Sequence, residues 1–187
     1  MQQTVYKYLI RSAIAVFGAL YIGFLLQTSF FPRIALAGVT PNIILIVTSM
    51  FGFLLGAKYG MITGFLGGLL LDIFCGSSFG MYALMYLYVG SLNGALAKIY
   101  YGDDIKLPLF LIGGSDFLLG MTIYLSQFLM RNRSDAGFYI TNIIVPEMVY
   151  TVLVAIFLYF PLRWVCSWVD QGGERTNRSV RGVRELG

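Results

Sequence analysis

Charged residues are scarce in this sequence, and histidine is absent. Charged side chains make up 12% of the 187 residues, about half the share of an ordinary soluble domain, which is roughly 25%. Without histidine the chain lacks the commonest metal ligand and the usual proton carrier near neutral pH. We expect no metal site and no cofactor, and we expect no nucleic-acid partner and no enzymatic activity.

Hydrophobic residues, in contrast, make up 58% of the chain. A protein of this size cannot bury so many apolar side chains in one core, so the composition indicates an integral membrane protein. Membrane spans must satisfy their own backbone hydrogen bonds, which leaves helices or a closed barrel. The apolar runs are continuous rather than alternating, and this excludes the barrel.

Six stretches approach the length of about 17–25 apolar residues that a helical span requires. The sequence therefore predicts an all-α protein, a compact bundle of six transmembrane helices within residues 1–166. From Asp170 onward the chain is polar and lacks periodicity, so we predict that residues 167–187 form a disordered cytoplasmic tail. The predicted spans cover residues 8–31, 41–57, 60–75, 79–100, 107–130 and 142–165.

The distribution of lysine and arginine predicts the orientation of the six spans. With an even number of spans, both termini lie on one side of the membrane. That side carries ten basic residues and the other carries three, so we place both termini in the cytoplasm. The ten are Lys7, Arg11, Lys58, Lys98, Lys106, Arg163, Arg175, Arg178, Arg181 and Arg184; the three are Arg33, Arg131 and Arg133.

Three acidic residues, Asp72, Asp116 and Glu147, lie within predicted spans, where no basic residue is placed to pair with them. An acidic residue inside a membrane is a candidate functional group because its burial is costly. Asn42 is predicted at a depth similar to that of Asp72 and Glu147. A structural role is the alternative: Asp72 lies near a helix end and would accept hydrogen bonds from the backbone of Ser77 and Ser78.

Glycines recur at intervals of four residues before Asp72 and form a ridge along the predicted third helix. Small residues at this spacing allow the backbone of a second helix to approach closely. The fourth and fifth predicted helices also carry glycines on one face, with Gly113, Asp116 and Gly120 on the fifth. The predicted packing ridge comprises Gly60, Gly64, Gly68, Gly90 and Gly94.

These motifs together form a recognisable pattern. Residues 40–45 read TPNIIL, the glycine ridge leads to Asp72, and Gly76 and Gly80 precede a tyrosine-rich helix containing Gly90. Over about residues 41–94 this pattern resembles the bacterial rod shape-determining protein MreD family. Asn42 stands where that family often has aspartate.

The resemblance implies a non-catalytic scaffold of the machinery of cell elongation, located in the bacterial cytoplasmic membrane. The partners that it implies are MreC, RodA, a class B penicillin-binding protein and the MreB filament, in addition to membrane lipid. It also implies a fold similar to the substrate-binding subunits of energy-coupling-factor vitamin transporters. A small-molecule-binding or transport subunit is the alternative function, and a lipid-modifying membrane enzyme is a third.

Overall fold

A computed structural model describes residues 2–35, 38–74, 80–99, 105–131 and 136–184. All regular secondary structure in these residues is helical, which agrees with the predicted all-α class. The first helix, α1, ends in a π-helical turn and a 3-10 turn, and the last helix begins with a short segment and a π-helical turn. The elements are α1 Gln2–Leu25 with its turns Leu26–Phe30 and Phe31–Ile34, α2 Ile43–Leu55, α3 Ala57–Phe74, α4 Met81–Ile99, α5 Lys106–Arg131, α6 Ala136–Tyr139 with the turn Ile140–Ile144, and α7 Val145–Arg184.

Four helices are long and apolar enough to cross a membrane by length and composition, among the residues that the structure describes. They are Leu9–Ile34, Ala57–Phe74, Lys106–Leu125 and Gly137–Val169. Helix α2, which lies within the predicted span 41–57, has 13 residues and is about 20 Å long. The 19-residue α4 is not among the four.

The short helix α2 forms the centre of the bundle. Each of its residues from Ile43 to Gly52 is buried, and α1, α3, α4, α5 and α7 all pack against it. A helix that is apolar on every side is stable only when every side is covered. Protein rather than lipid therefore surrounds most of α2, which is why it does not need the length of a membrane span.

The peripheral helices place large apolar side chains on the outside of the bundle. Phe17 on α1, Phe110 on α5 and Phe157 on α7 are 62%, 77% and 79% exposed. Contiguous apolar surface of this kind is rare on soluble monomers. The outer surface therefore matches a hydrocarbon environment, in agreement with the membrane class that the composition predicts.

The last helix, α7, continues into the C-terminal segment, where the disordered cytoplasmic tail over residues 167–187 stays a prediction. The structure gives α7 a helical backbone without interruption from Val145 to Arg184. Pro161 is the last proline of the chain. Every residue after it therefore has the backbone N–H group that a helix requires. The polar composition that suggested disorder is compatible with a helix that continues past the apolar span.

Candidate functional site

Asn42 occupies the start of α2 and is 5% exposed. It follows Pro41, and a proline disfavours a helical conformation in the residue before it, which here is Thr40. The Oδ1 atom of Asn42 accepts a hydrogen bond from the backbone N–H of Leu45 at 3.2 Å. This is an N-cap, in which an asparagine side chain satisfies a backbone donor of the first helical turn.

Asn42 also joins α2 to three other helices, through its side chain and its backbone N–H group. Tyr86 on α4 donates its hydroxyl to Asn42 Oδ1 at 2.7 Å, and Asn42 Nδ2 donates to Asp116 Oδ1 on α5 at 3.4 Å. The backbone N–H of Asn42 donates to Thr151 Oγ1 on α7 at 3.1 Å. Four helices therefore converge on one buried residue, and we call Asn42, Tyr86, Asp116 and Thr151 the polar junction.

Asp116 is the acidic member of the polar junction and is 4% exposed. Its Oδ2 atom has no hydrogen-bond partner among the described residues, although the Thr151 side chain also interacts with its carboxyl group. Glu147 lies one turn before Thr151 on α7. The structure thus joins Asn42 and Asp116, two of the predicted polar residues, by a hydrogen bond and places Glu147 one turn along α7 from the polar junction.

Asp72 lies apart from these three and caps a helix. Its Oδ1 and Oδ2 atoms accept hydrogen bonds from the backbone N–H groups of Tyr82 at 3.0 Å and Ala83 at 2.9 Å. These donors belong to the first turn of α4, where a negative charge is also favoured by the helix dipole. The predicted donors Ser77 and Ser78 lie outside the described residues.

The glycines of α3 lie against the backbone of α4. A methyl group at Gly60 would overlap the carbonyl oxygen of Gly90, and one at Gly64 would overlap that of Tyr86. At Gly68 a Cβ atom would lie 2.5 Å from the Cα atom of Ala83. Gly94 contacts the backbone of Ala57 in the same way. The two backbones are therefore close enough that side chains are excluded along the whole crossing.

The glycine face of α5 meets α7 and the π-helical turn before it, rather than the α3 ridge. A Cβ atom at Gly113 would lie 3.1 Å from Val152, and one at Gly120 would lie 3.1 Å from Ile144. These neighbours are side-chain atoms, so the approach of α5 to α7 is looser than that of α3 to α4. Spacing alone identified the packing face of α5 but not the helix that it contacts.

A comparison with protein-family models finds a match over most of the chain. The model of the rod shape-determining protein MreD matches residues 8–169. The chain belongs to the MreD family. No curated protein and no solved structure matches it. The match extends from α1 to Val169, where the apolar part of α7 ends, and it includes the polar junction, Asp72 and the α3–α4 crossing.

Membership of the MreD family implies a role in determining rod shape. MreD is a structural, shape-determining protein. No group of three or more metal-ligating side chains occurs among the described residues. The geometry agrees with a structural role, because each hydrogen bond of the polar junction joins two helices or caps one of them. The polar side chains therefore fix the arrangement of the bundle.

Sequence reasoning missed several members of this polar interior. Tyr86 lies one turn before Gly90, on the ridge that spacing had identified, and Thr151 lies one turn after Glu147; both share a face with a predicted residue. A second buried connection joins α2, α4 and α5 through Asn93. Asn93 Nδ2 donates to Ser49 Oγ at 2.7 Å, and Ser115 Oγ donates to Asn93 Oδ1 at 3.2 Å.

Proposed function

We propose that this member of the MreD family is a non-catalytic scaffold subunit of the cell-elongation complex. In this proposal it binds MreC and couples it to the peptidoglycan synthases RodA and a class B penicillin-binding protein, with the MreB filament on the cytoplasmic side. The observation that carries the proposal is the family match over residues 8–169. A fold similar to energy-coupling-factor substrate-binding subunits also remains a proposal, since it was implied only by the resemblance.

We further propose that α2 and α4 complete a bundle of six membrane helices in the cytoplasmic membrane. The side that carries both termini has ten basic residues and the other side has three. This difference supports the topology with both termini in the cytoplasm. The central position of α2 supports it as well, since a helix surrounded by protein does not have to match the about 30 Å hydrocarbon core. In this arrangement residues 1–166 form the membrane domain.

A scaffold requires a rigid interior and a surface on which other helices can pack. The polar junction and the buried Asn93 connection supply the first, because they link α2, α4, α5 and α7 through buried hydrogen bonds. The exposed apolar faces of α1, α5 and α7 supply the second. Within a membrane, van der Waals packing on such faces is a principal source of helix association.

Affinity purification in a mild detergent tests the proposal. The tagged chain is expressed in a rod-shaped bacterium that lacks its own MreD, and cell shape and co-purified proteins are measured together. We expect rod shape to be restored and MreC, RodA and the penicillin-binding protein to be enriched over a tagged, unrelated multi-span protein. Restored shape without any of these partners would refute the scaffold, and a stoichiometric small molecule in their place would favour the transport alternative.

A further inference from the structure

The surface of the bundle contains an apolar groove between α1 and α7, which we call the α1–α7 groove. It is lined on α1 by residues from Ile14 to Leu26, on α7 by residues from Leu158 to Trp168, and at its floor by Ile43 and Val47. Its volume is about 410 Å³, within the range of small-molecule sites. The twelve-residue interval along α1 corresponds to about 18 Å of helix, slightly more than one leaflet of a membrane core of about 30 Å.

One end of the α1–α7 groove carries a positive charge. Arg11 lies about one turn before Ile14 on α1. Its guanidinium carbon lies 4.8 Å from the centre of the Trp168 ring. Arg11 is near the start of the apolar stretch Leu9–Ile34, and Trp168 is near the end of the stretch Gly137–Val169. Both residues therefore lie at a membrane–water interface, where arginine and tryptophan are typical.

Arg11 presents its guanidinium beside the groove. No ion pair of Arg11 occurs among the side chains that the structure describes, which on α7 end at Val169, and its described partner is the face of the Trp168 ring. The N–H donors of a guanidinium lie in its own plane, so contact of its face with an aromatic ring leaves them free to bind the oxygens of a phosphate. A groove of leaflet depth with such a cation at the interface has the shape and charge of a phospholipid site.

We propose that the α1–α7 groove binds one acyl chain of an anionic phospholipid whose phosphate is held by Arg11. A second apolar groove, between α1 and α3, provides an internal comparison. It has a similar volume of about 390 Å³ and is lined by residues from Phe17 to Leu25 and from Leu66 to Phe74, none of which is charged. Lipid that merely surrounds the protein would fill both grooves without regard to its headgroup.

The protein carries its own reporter of this site. Its two tryptophans, Trp164 and Trp168, both line the α1–α7 groove. Bromine atoms on an acyl chain quench tryptophan fluorescence only at short range. The purified full chain is therefore reconstituted in phosphatidylcholine vesicles, and brominated phosphatidylglycerol or brominated phosphatidylcholine is added in increasing proportion.

We expect saturable quenching with about a fivefold preference for phosphatidylglycerol, the factor expected for one basic residue near the membrane surface. Arg11→Gln should abolish the preference, and Arg11→Lys should retain part of it. Arg178→Gln removes one charge from the C-terminal part of α7 and should leave the preference unchanged. Gly18→Leu should remove the saturable component for both lipids, because space is open at Gly18 and a side chain there would fill the groove.

Three results would overturn the proposal. Equal quenching by the two brominated lipids would show that no anionic headgroup is selected. A preference that persists in a folded Arg11→Gln variant would show that Arg11 does not hold the phosphate. Weak quenching that increases as the protein is diluted in lipid would show that a second copy of the chain covers the groove. Circular dichroism and thermal unfolding of each variant distinguish a lost site from a lost fold.

Discussion

Replacement of Asp72 provides a direct test of its role as a helix cap. In Asp72→Leu both acceptor oxygens are lost, and the N–H groups of Tyr82 and Ala83 are left inside the bundle without a partner. Each unsatisfied buried donor costs about 1–3 kcal/mol, so the free energy of unfolding should fall by about 2–6 kcal/mol. Asp72→Asn keeps one carbonyl acceptor and should lose only about half as much.

The assay is thermal unfolding in detergent, together with the amount of protein in the membrane and the shape of cells that depend on the variant. We expect Asp72→Asn to support rod shape and Asp72→Leu to be depleted from the membrane. Ile73→Leu is the matched control, because Ile73 is the next residue of α3 and is 57% exposed. A stable, abundant Asp72→Asn protein that cannot support rod shape would refute the reasoning and would assign a functional role to the negative charge.

Three further outcomes follow from the packing and topology. Gly68→Leu should destabilise the protein by about 3 kcal/mol or more, because a side chain there meets the α4 backbone, whereas Gly114→Leu, with no neighbouring atom near its Cβ position, should unfold at the temperature of the parent protein. Tyr86→Phe should cost about 0.5–1.5 kcal/mol in the same unfolding assay by removing one hydrogen bond to the polar junction; unchanged stability would contradict that bond. In a background without native cysteines, Gly137→Cys should react with an impermeant thiol reagent added to intact cells and Gly102→Cys should not; the reverse pattern would overturn the proposed orientation.

Local spacing in the sequence anticipated features that depend on neighbouring residues. The four-residue interval of Gly60, Gly64 and Gly68 is a property of one helix, so it identified the face along which α3 packs. The position of Asp72 near a helix end likewise suggested an acceptor at the turn before the fourth helix. The structure places its hydrogen-bond donors in the first turn of α4.

Contacts between distant segments were not predictable in the same way. Asn42 and Asp116 are 74 positions apart, and Asn42 and Thr151 are 109 positions apart. Their meeting depends on the rotation and depth of four helices, which no single hydrophobic period determines. The surroundings of α2 were not predictable for a related reason. Hydropathy responds to the apolar character of residues 41–57 but cannot distinguish burial in lipid from burial in protein.

The central position of α2 has a consequence for the order in which the chain is assembled. During synthesis α2 emerges long before Tyr86, Asp116 and Thr151, the residues that satisfy Asn42 in the finished bundle. A single residue, Gly56, separates α2 from α3, so we expect the two helices to enter the membrane as a hairpin with the polar end of α2 still unpaired. A chain that stops before Thr151 therefore exposes an incomplete core to lipid, and membrane proteases that recognise such defects should remove C-terminally truncated forms.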